Sequence, residues 1–161
     1  MSSSDRRKVI ALLAALPLAA CGFAPAYGPG GAASALFGRV AFDVPEDKAG
    51  FDLVGRLEER LGRTADGEFR LSYRIETKET GLAITPEAAV TRYNVTGSVA
   101  FTLTDSMGAT RAEGQVSTFT SYSASGTTVS TATAREDAYR RLMVILADQI
   151  VTRLIPVGAG G

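Results

Sequence analysis

The chain has no histidine and one cysteine, Cys21. Without histidine there is no His metal site, no Ser-His-Asp triad and no Cys-His pair; without a second cysteine there is no internal disulfide. Carboxylate or Ser-Lys chemistry stays formally open, but no motif supports either. Charge of one sign is missing as well: 17 basic residues balance 17 acidic ones. Nothing in that balance attracts nucleic acid. Nor is there a long apolar run. Val9 to Leu18 spans about ten residues, whereas a helix needs about 20 to cross a bilayer core. No internal repeat is visible.

What is present begins at the N-terminus. Arg6, Arg7 and Lys8 form a basic patch, followed by the short apolar run and then Leu18-Ala19-Ala20-Cys21. Basic, apolar, small is the layout of a secretory signal. Leu-Ala-Ala-Cys resembles the lipobox of bacterial lipoproteins, in which the nucleophilic sulfur takes diacylglycerol and a peptidase then cuts before the cysteine. Residues 1–20 are therefore expected to be a lipoprotein signal peptide. Cys21 is expected to carry a diacylglycerol thioether and an N-acyl chain such as palmitate, with no other cofactor. Several acyl chains anchor stably, since each buried CH₂ adds roughly 0.8 kcal/mol and one chain alone is marginal. An ordinary signal cut at Ala24-Pro25-Ala26 is the alternative. Gly22 stands where Asp would favour inner-membrane retention, which points to the outer membrane.

Removing 20 of the 161 residues leaves 141, one ordinary domain. The signal takes three basic residues and one acidic one, so the remainder carries a charge of about −2. Residues 21–37 are rich in Gly, Ala and Pro and read as a flexible leash. Residues 38–156 read as an α/β domain and 157–161 as an unstructured tail.

Within the domain, Arg39–Val44 reads as a short strand ended by Pro45. Lys48–Leu61 reads as a helix, with Phe51, Leu53, Val54, Leu57 and Leu61 as its apolar stripe and Gly62 at its end. Glu68–Thr77 alternates, with Phe69, Leu71, Tyr73 and Ile75 on one face. A connection over Lys78–Ala88 is expected next. Val90–Thr104 is the clearest strand, with Gly97 on its apolar face, where a helix can approach closely or the strand can bend. Asp105-Ser106-Met107-Gly108 is a hairpin turn, and Ala109–Ser123 returns antiparallel. Thr133-Ala134-Arg135-Glu136 fits a capping box opening a helix to about Ile155, with Pro156 just beyond its end. The expected fold is α+β: a two-layer sandwich of about four strands in a mixed sheet, order β-α-β-β-β-α, with both helices on one face.

The face left open is informative. Tyr93–Thr104 and Gly114–Ala134 contain no charged residue. Charges ordinarily guard exposed strands against pairing, and interface cores are depleted of charge. A partner is therefore expected over Asn94, Thr96, Ser98, Thr102, Phe119 and Tyr122. The plain alternative is that Thr suits strands and Ser-rich loops are soluble.

Three stretches, in order, resemble the LPS-assembly lipoprotein family LptE, in an alphaproteobacterial-type form. They are Cys21-Gly22-Phe23-Ala24-Pro25-Ala26-Tyr27-Gly28; Thr91 to Asp105; and Ala138-Tyr139-Arg140-Arg141-Leu142 with Leu146 to Leu154. No one motif is specific; the ordered set carries the resemblance. It implies a sheet with two helices on one side and a non-enzymatic role. Such a protein plugs and helps assemble the LptD β-barrel of the outer membrane, facing the periplasm, and takes part in inserting lipopolysaccharide into the outer leaflet. It also implies basic residues that meet lipopolysaccharide phosphates. By chemistry alone the candidates are Arg74, Lys78, Arg92 and Arg111, although each reads more simply as a solvated sheet-face residue. Basic residues do not cluster in Gly114–Ala134, so that stretch holds no strong lipopolysaccharide site on this reading. Two other readings remain: an auxiliary lipoprotein of an ABC-type lipid transporter, and a lipid-anchored hydrolase using Asp43, Asp105 or Glu113.

Overall fold

The computed structural model describes residues 35–84 and 90–159. The signal segment, the lipidation at Cys21 and the leash up to Ser34 fall outside the described residues. Six elements follow one another: β1 (Val40–Phe42), α1 (Lys48–Leu61), β2 (Phe69–Ile84), β3 (Val90–Asp105), β4 (Thr110–Ser123) and α2 (Thr128–Ala159). The strands form one sheet in the order β1-β2-β3-β4. β1 runs parallel to β2, which requires a crossover, and α1 supplies it. β2–β3 and β3–β4 are antiparallel. The α+β fold with β-α-β-β-β-α order and a four-stranded mixed sheet is the one the sequence pattern predicts.

Local chemistry explains the ends of α1. The Asp47 carboxylate accepts from the Gly50 N–H at 2.7 Å, satisfying one of the helix's orphan donors. Gly62 closes the helix at φ +80°, a conformation that suits glycine, and its N–H reaches the Glu58 carbonyl at 2.9 Å. Leu53, Val54, Leu57 and Leu61 are buried, but Phe51, expected in the stripe, is 62% exposed. At about 100° per residue it lies roughly 100° round from that stripe.

Two elements run past their expected bounds. β2 continues from Thr77 to Ile84, because Lys78, Glu79 and Thr80 pair with Thr96, Val95 and Asn94 of β3. The partner strand imposes the extended form on a stretch whose own composition is indifferent. Helix α2 starts at Thr128, before the expected capping box. Thr127 is the cap, its Oγ1 accepting from the Ser130 N–H at 3.2 Å, while Thr133 donates back to the Val129 carbonyl from inside the helix. Pro156 lies inside α2, which carries on to Ala159. At the other end of the domain, Leu36, expected in the leash, is already buried.

One core joins the layers. Leu71, Val95, Val99, Phe101, Leu103 and Val116 project from the sheet onto Leu53 and Leu57 of α1 and Leu142, Leu146, Ile150 and Leu154 of α2. Gly97 makes the close approach possible. A Cβ there would sit 2.9 Å from Leu142 Cδ2 and 3.2 Å from Leu146 Cδ1. Arg56 of α1 grips Asp148 of α2 through two hydrogen bonds of 3.0 Å, tying the helices together.

Candidate partner-binding face

The sheet has two unlike faces because side chains alternate. The helices cover the face that carries Val95, Gly97, Val99 and Phe101. The other face carries cross-strand rows fixed by the register: Ser72–Thr102–Glu113, Arg74–Ala100–Gln115, Glu76–Ser98–Ser117, Lys78–Thr96–Phe119 and Thr80–Asn94–Ser121. Among the described residues nothing packs over these rows. Asn94, Thr96, Ser98, Thr102 and Phe119 therefore share one open surface, as expected.

The hydroxyls here bond sideways to the backbone. Thr96 Oγ1 donates to the Lys78 carbonyl at 3.1 Å, and Ser72 Oγ to the Thr102 carbonyl at 3.4 Å. Their lone pairs still point outward, so the face offers acceptors without charge. Phe119 stands 66% exposed beside them. A shallow groove of about 530 Å³ crosses the middle, lined by Glu76, Lys78, Thr96, Ser98, Ser117 and Phe119.

Tyr122 is a correction. It lies on the helix-covered face and is only 6% exposed, because an even-numbered residue of β4 points the same way as Val116. Its ring stacks on Tyr93 with centroids 5.2 Å apart. Its hydroxyl donates to Glu79 Oε1 at 3.0 Å, while Arg135 Nε and the Tyr139 hydroxyl donate to Oε2 at 2.8 and 3.2 Å. Burial pushes the Glu79 carboxyl up, but the hydrogen bonds from Arg135 and Tyr122 outweigh it and hold the carboxyl below its ordinary value. Burial, then the Glu79 carboxylate, pushes the Tyr122 hydroxyl up to about 12. This cluster fastens α2 to the far end of the sheet. Sequence reading missed it because β2 was ended at Thr77; carried two residues further, the alternation puts Glu79 on the covered face.

The four candidate cations do not form one cluster. Arg74 and Lys78 sit two rows apart on β2, and Arg92 lies four residues beyond Thr96, the residue opposite Lys78. Each step is roughly 14 Å at 3.4 Å per residue. Among the described residues none of these three pairs with an acid. Arg111 differs: its Nε and Nη2 each reach Asp105 Oδ2 at 2.8 Å. The Asp105 carboxyl also accepts from the Ala109 and Met107 amides, both at 2.9 Å, and these bonds, that from Ala109 first, hold it below its usual range. Asp105 is thus the lock of the β3–β4 turn. Asp43 lies beside Arg70 at the end of β1, and Glu113 lies on the open face opposite Thr102. No group of three His, Cys, Asp or Glu among the described residues is placed to hold a metal, and no helix among them is long and apolar enough to cross a membrane.

The comparisons with known proteins agree with this architecture. The family model LptE, described as Lipopolysaccharide-assembly, matches residues 37–154. No curated protein matches by sequence. Among solved structures, a candidate lipoprotein from Caulobacter crescentus CB15 is similar with a TM-score of 0.68 at 20% identity, covering 83% of this chain and 100% of that one. Rare lipoprotein B from Shewanella oneidensis is similar with a TM-score of 0.58 at 13% identity, over 74% and 94% of the two chains. A minor lipoprotein from Acinetobacter baumannii gives 0.56 at 19% identity, over 74% and 92%. At these identities the structural likenesses establish the fold.

Proposed function

The chain belongs to the LptE lipopolysaccharide-assembly family, and on that premise we propose that it is an outer-membrane lipoprotein, lipidated at Cys21, that plugs the LptD β-barrel and helps it assemble. It performs no chemistry of its own. Its work is to fill a lumen, hold the barrel in its working form and take part in passing lipopolysaccharide to the outer leaflet.

The observation that carries this reading is the one-sided cover of the sheet. Helices bury one face, and the other presents Asn94, Thr96 and Ser98 in neighbouring rows, with Phe119 beside them and Thr102 one row beyond Ala100. Barrel lumens are polar. A plug surface buried there needs many hydrogen bonds and no unpaired charge, since an uncompensated buried charge is far more costly than a bonded hydroxyl. A neutral strip of Thr, Ser and Asn meets that requirement. Lipopolysaccharide phosphates would meet Arg74, Lys78 and Arg92 beside this strip, where none of the three forms an ion pair with a described acid, although Glu76 stands between Arg74 and Lys78. Arg111, already held by Asp105, contributes least.

The test is a mild-detergent pull-down of the tagged, full-length protein from outer membranes. A stoichiometric large β-barrel is expected, and Thr96→Glu with Ser98→Glu should abolish it while the protein stays folded. An inner-membrane permease in place of the barrel would overturn the reading and favour a transporter auxiliary. For the lipid, Lys78→Ala with Arg92→Ala should weaken lipopolysaccharide binding; unchanged binding removes both residues from the site.

A further inference from the structure

The two long edges of the sheet are defended differently. β1 pairs only with Phe69–Leu71, so the rest of β2 is an edge, and it carries Arg74, Glu76, Lys78 and Glu79. Such charges discourage another strand from adding. β4 forms the opposite edge. From Gly114 to its end at Ser123 it has no charge at all. The direction of its peptide groups follows from one bond. The Ala124 N–H reaches the Thr91 carbonyl at 2.9 Å, so even-numbered residues of β4 turn their peptide groups toward β3 and odd-numbered ones turn theirs away. Arg141 agrees with this: its Nη2 reaches the Ser121 carbonyl at 3.3 Å from outside the sheet. That contact closes the edge at one end, and Glu113 with Arg111 guards the other. Between them Gln115, Ser117 and Phe119 are exposed, with backbone donors and acceptors facing outward and no charged side chain on the strand itself.

We propose that the β4 edge between Glu113 and Ser121 takes an extended, uncharged backbone segment of the β-barrel partner as a fifth strand. This rests on the plug reading above and specifies one of its contacts. Main-chain hydrogen bonds give such an addition its strength, and Phe119 offers a side-chain anchor continuous with the open face. The added segment is a loop or terminus entering the lumen, because the wall strands of a closed barrel already pair with one another. It is uncharged where it meets Gln115, Ser117 and Phe119, because that part of the strand carries no charge of its own. A second copy of this chain is the competing occupant: an antiparallel pair centred on Ser117 would set Ser121, whose carbonyl Arg141 holds, opposite Glu113 of the other copy, and the experiment separates the two.

The test is Ser117→Pro in the full-length lipoprotein, with barrel co-purification as the readout. The Ser117 N–H points away from β3, so proline removes an outward donor without breaking the native ladder. Ser117→Lys, which places a guard charge on the edge, serves as a second variant in case proline disturbs the fold, and Ser117→Thr is the control. The expected result is at least tenfold less barrel with Pro and with Lys, unchanged circular dichroism, and full capture with Thr. Full capture by both Pro and Lys variants overturns the edge proposal and leaves the plug reading standing. No capture by the unaltered protein removes both. A dimer of this chain that Ser117→Pro dissolves, with barrel capture intact, overturns the proposal in favour of self-pairing.

Discussion

Replacing Glu79 with Ala should destabilise the domain by about 2–3 kcal/mol, and most of that should come from Tyr122. Three donors end on the Glu79 carboxylate, but they are not equal. The Arg135 side chain is 55% exposed, so its ion pair contributes only about 0.5 kcal/mol after solvent screening. Tyr139 is half-buried, and its hydroxyl can turn to water. Tyr122 is 6% exposed. Without Glu79 its hydroxyl is stranded, which costs about 1–3 kcal/mol. Tyr122→Phe removes the stranded donor and keeps the stack on Tyr93. In that background Glu79→Ala should cost only about 1 kcal/mol, a coupling of about 1.5 kcal/mol in the double-mutant cycle. Urea titrations followed by far-UV circular dichroism, in detergent and at constant m, read out all four proteins. Equal costs of Glu79→Ala in the two backgrounds would refute the reasoning, since Tyr122 would then not depend on the carboxylate.

The same cluster makes stability depend on pH at both extremes. Glu79's carboxyl lies below its ordinary value of 4.5 in the folded state, so its contribution is complete above that pH and is lost as pH falls through the folded value. The gap between the native protein and Glu79→Ala should therefore close on acidification, as urea midpoints will show. Tyr122 is raised from 10.0 to about 12, so its contribution is full below pH 10 and drains as pH rises toward 12; Tyr122→Phe should flatten that alkaline limb. Gly97→Val should cost about 2–3 kcal/mol through overpacking against Leu142 and Leu146, with part of the loss recovered by adding Leu142→Ala, measured by thermal unfolding. Thr127→Ala should cost about 1 kcal/mol and speed amide exchange in the first turn of α2, whereas Thr133→Ala should leave that turn's protection unchanged.

The sequence was most legible where one residue type decides the outcome. Alternation in Val90–Thr104 placed β3 within one residue of its end, and the Gly97 gap among large apolar side chains allowed a close helix or a bend, of which the helix contact is the one found. The Asp105 turn and the Gly62 stop were equally plain. Reading failed where tertiary partners decide. Lys78, Glu79 and Thr80 have no strong preference of their own, and β3 makes them a strand. Thr128–Ala132 looks like a loop by composition, yet Thr127 caps it and it extends α2. Of the candidate site, Asn94, Thr96, Ser98, Thr102 and Phe119 reached one face because their parity in the strands was right. Tyr122 fails on parity: it is even-numbered like the buried Val116 and opposite to Phe119, so it turns inward. Arg111 was chosen by charge alone, without the pairing across the turn that occupies it.

Charge placement separates what folds this domain from what it offers outward. Arg39, Arg56, Arg60, Arg63, Arg70, Arg111, Arg135, Arg140 and Arg141 all pair with acids. They lie on the helices, at the turn end of the sheet, or near the Glu79 cluster; Arg56, Arg60, Arg70 and Arg135 fasten neighbouring elements, while Arg63, Arg140 and Arg141 pair locally. Arg74, Lys78 and Arg92, on or beside the open face, take no acid among the described residues. A paired cation must give up its partner before it can bind a phosphate, and the lost pair offsets the gain; an unpaired cation loses only its water. The open face therefore sets a neutral hydrogen-bonding strip on β3, which can be buried at little electrostatic cost, beside the charged side chains of β2, where Arg74 and Lys78 flank Glu76 without an ion pair. A surface evolved only for solubility has no need to segregate the two. On the proposed reading, a plug that seats in a polar wall and lies beside a phosphorylated lipid does.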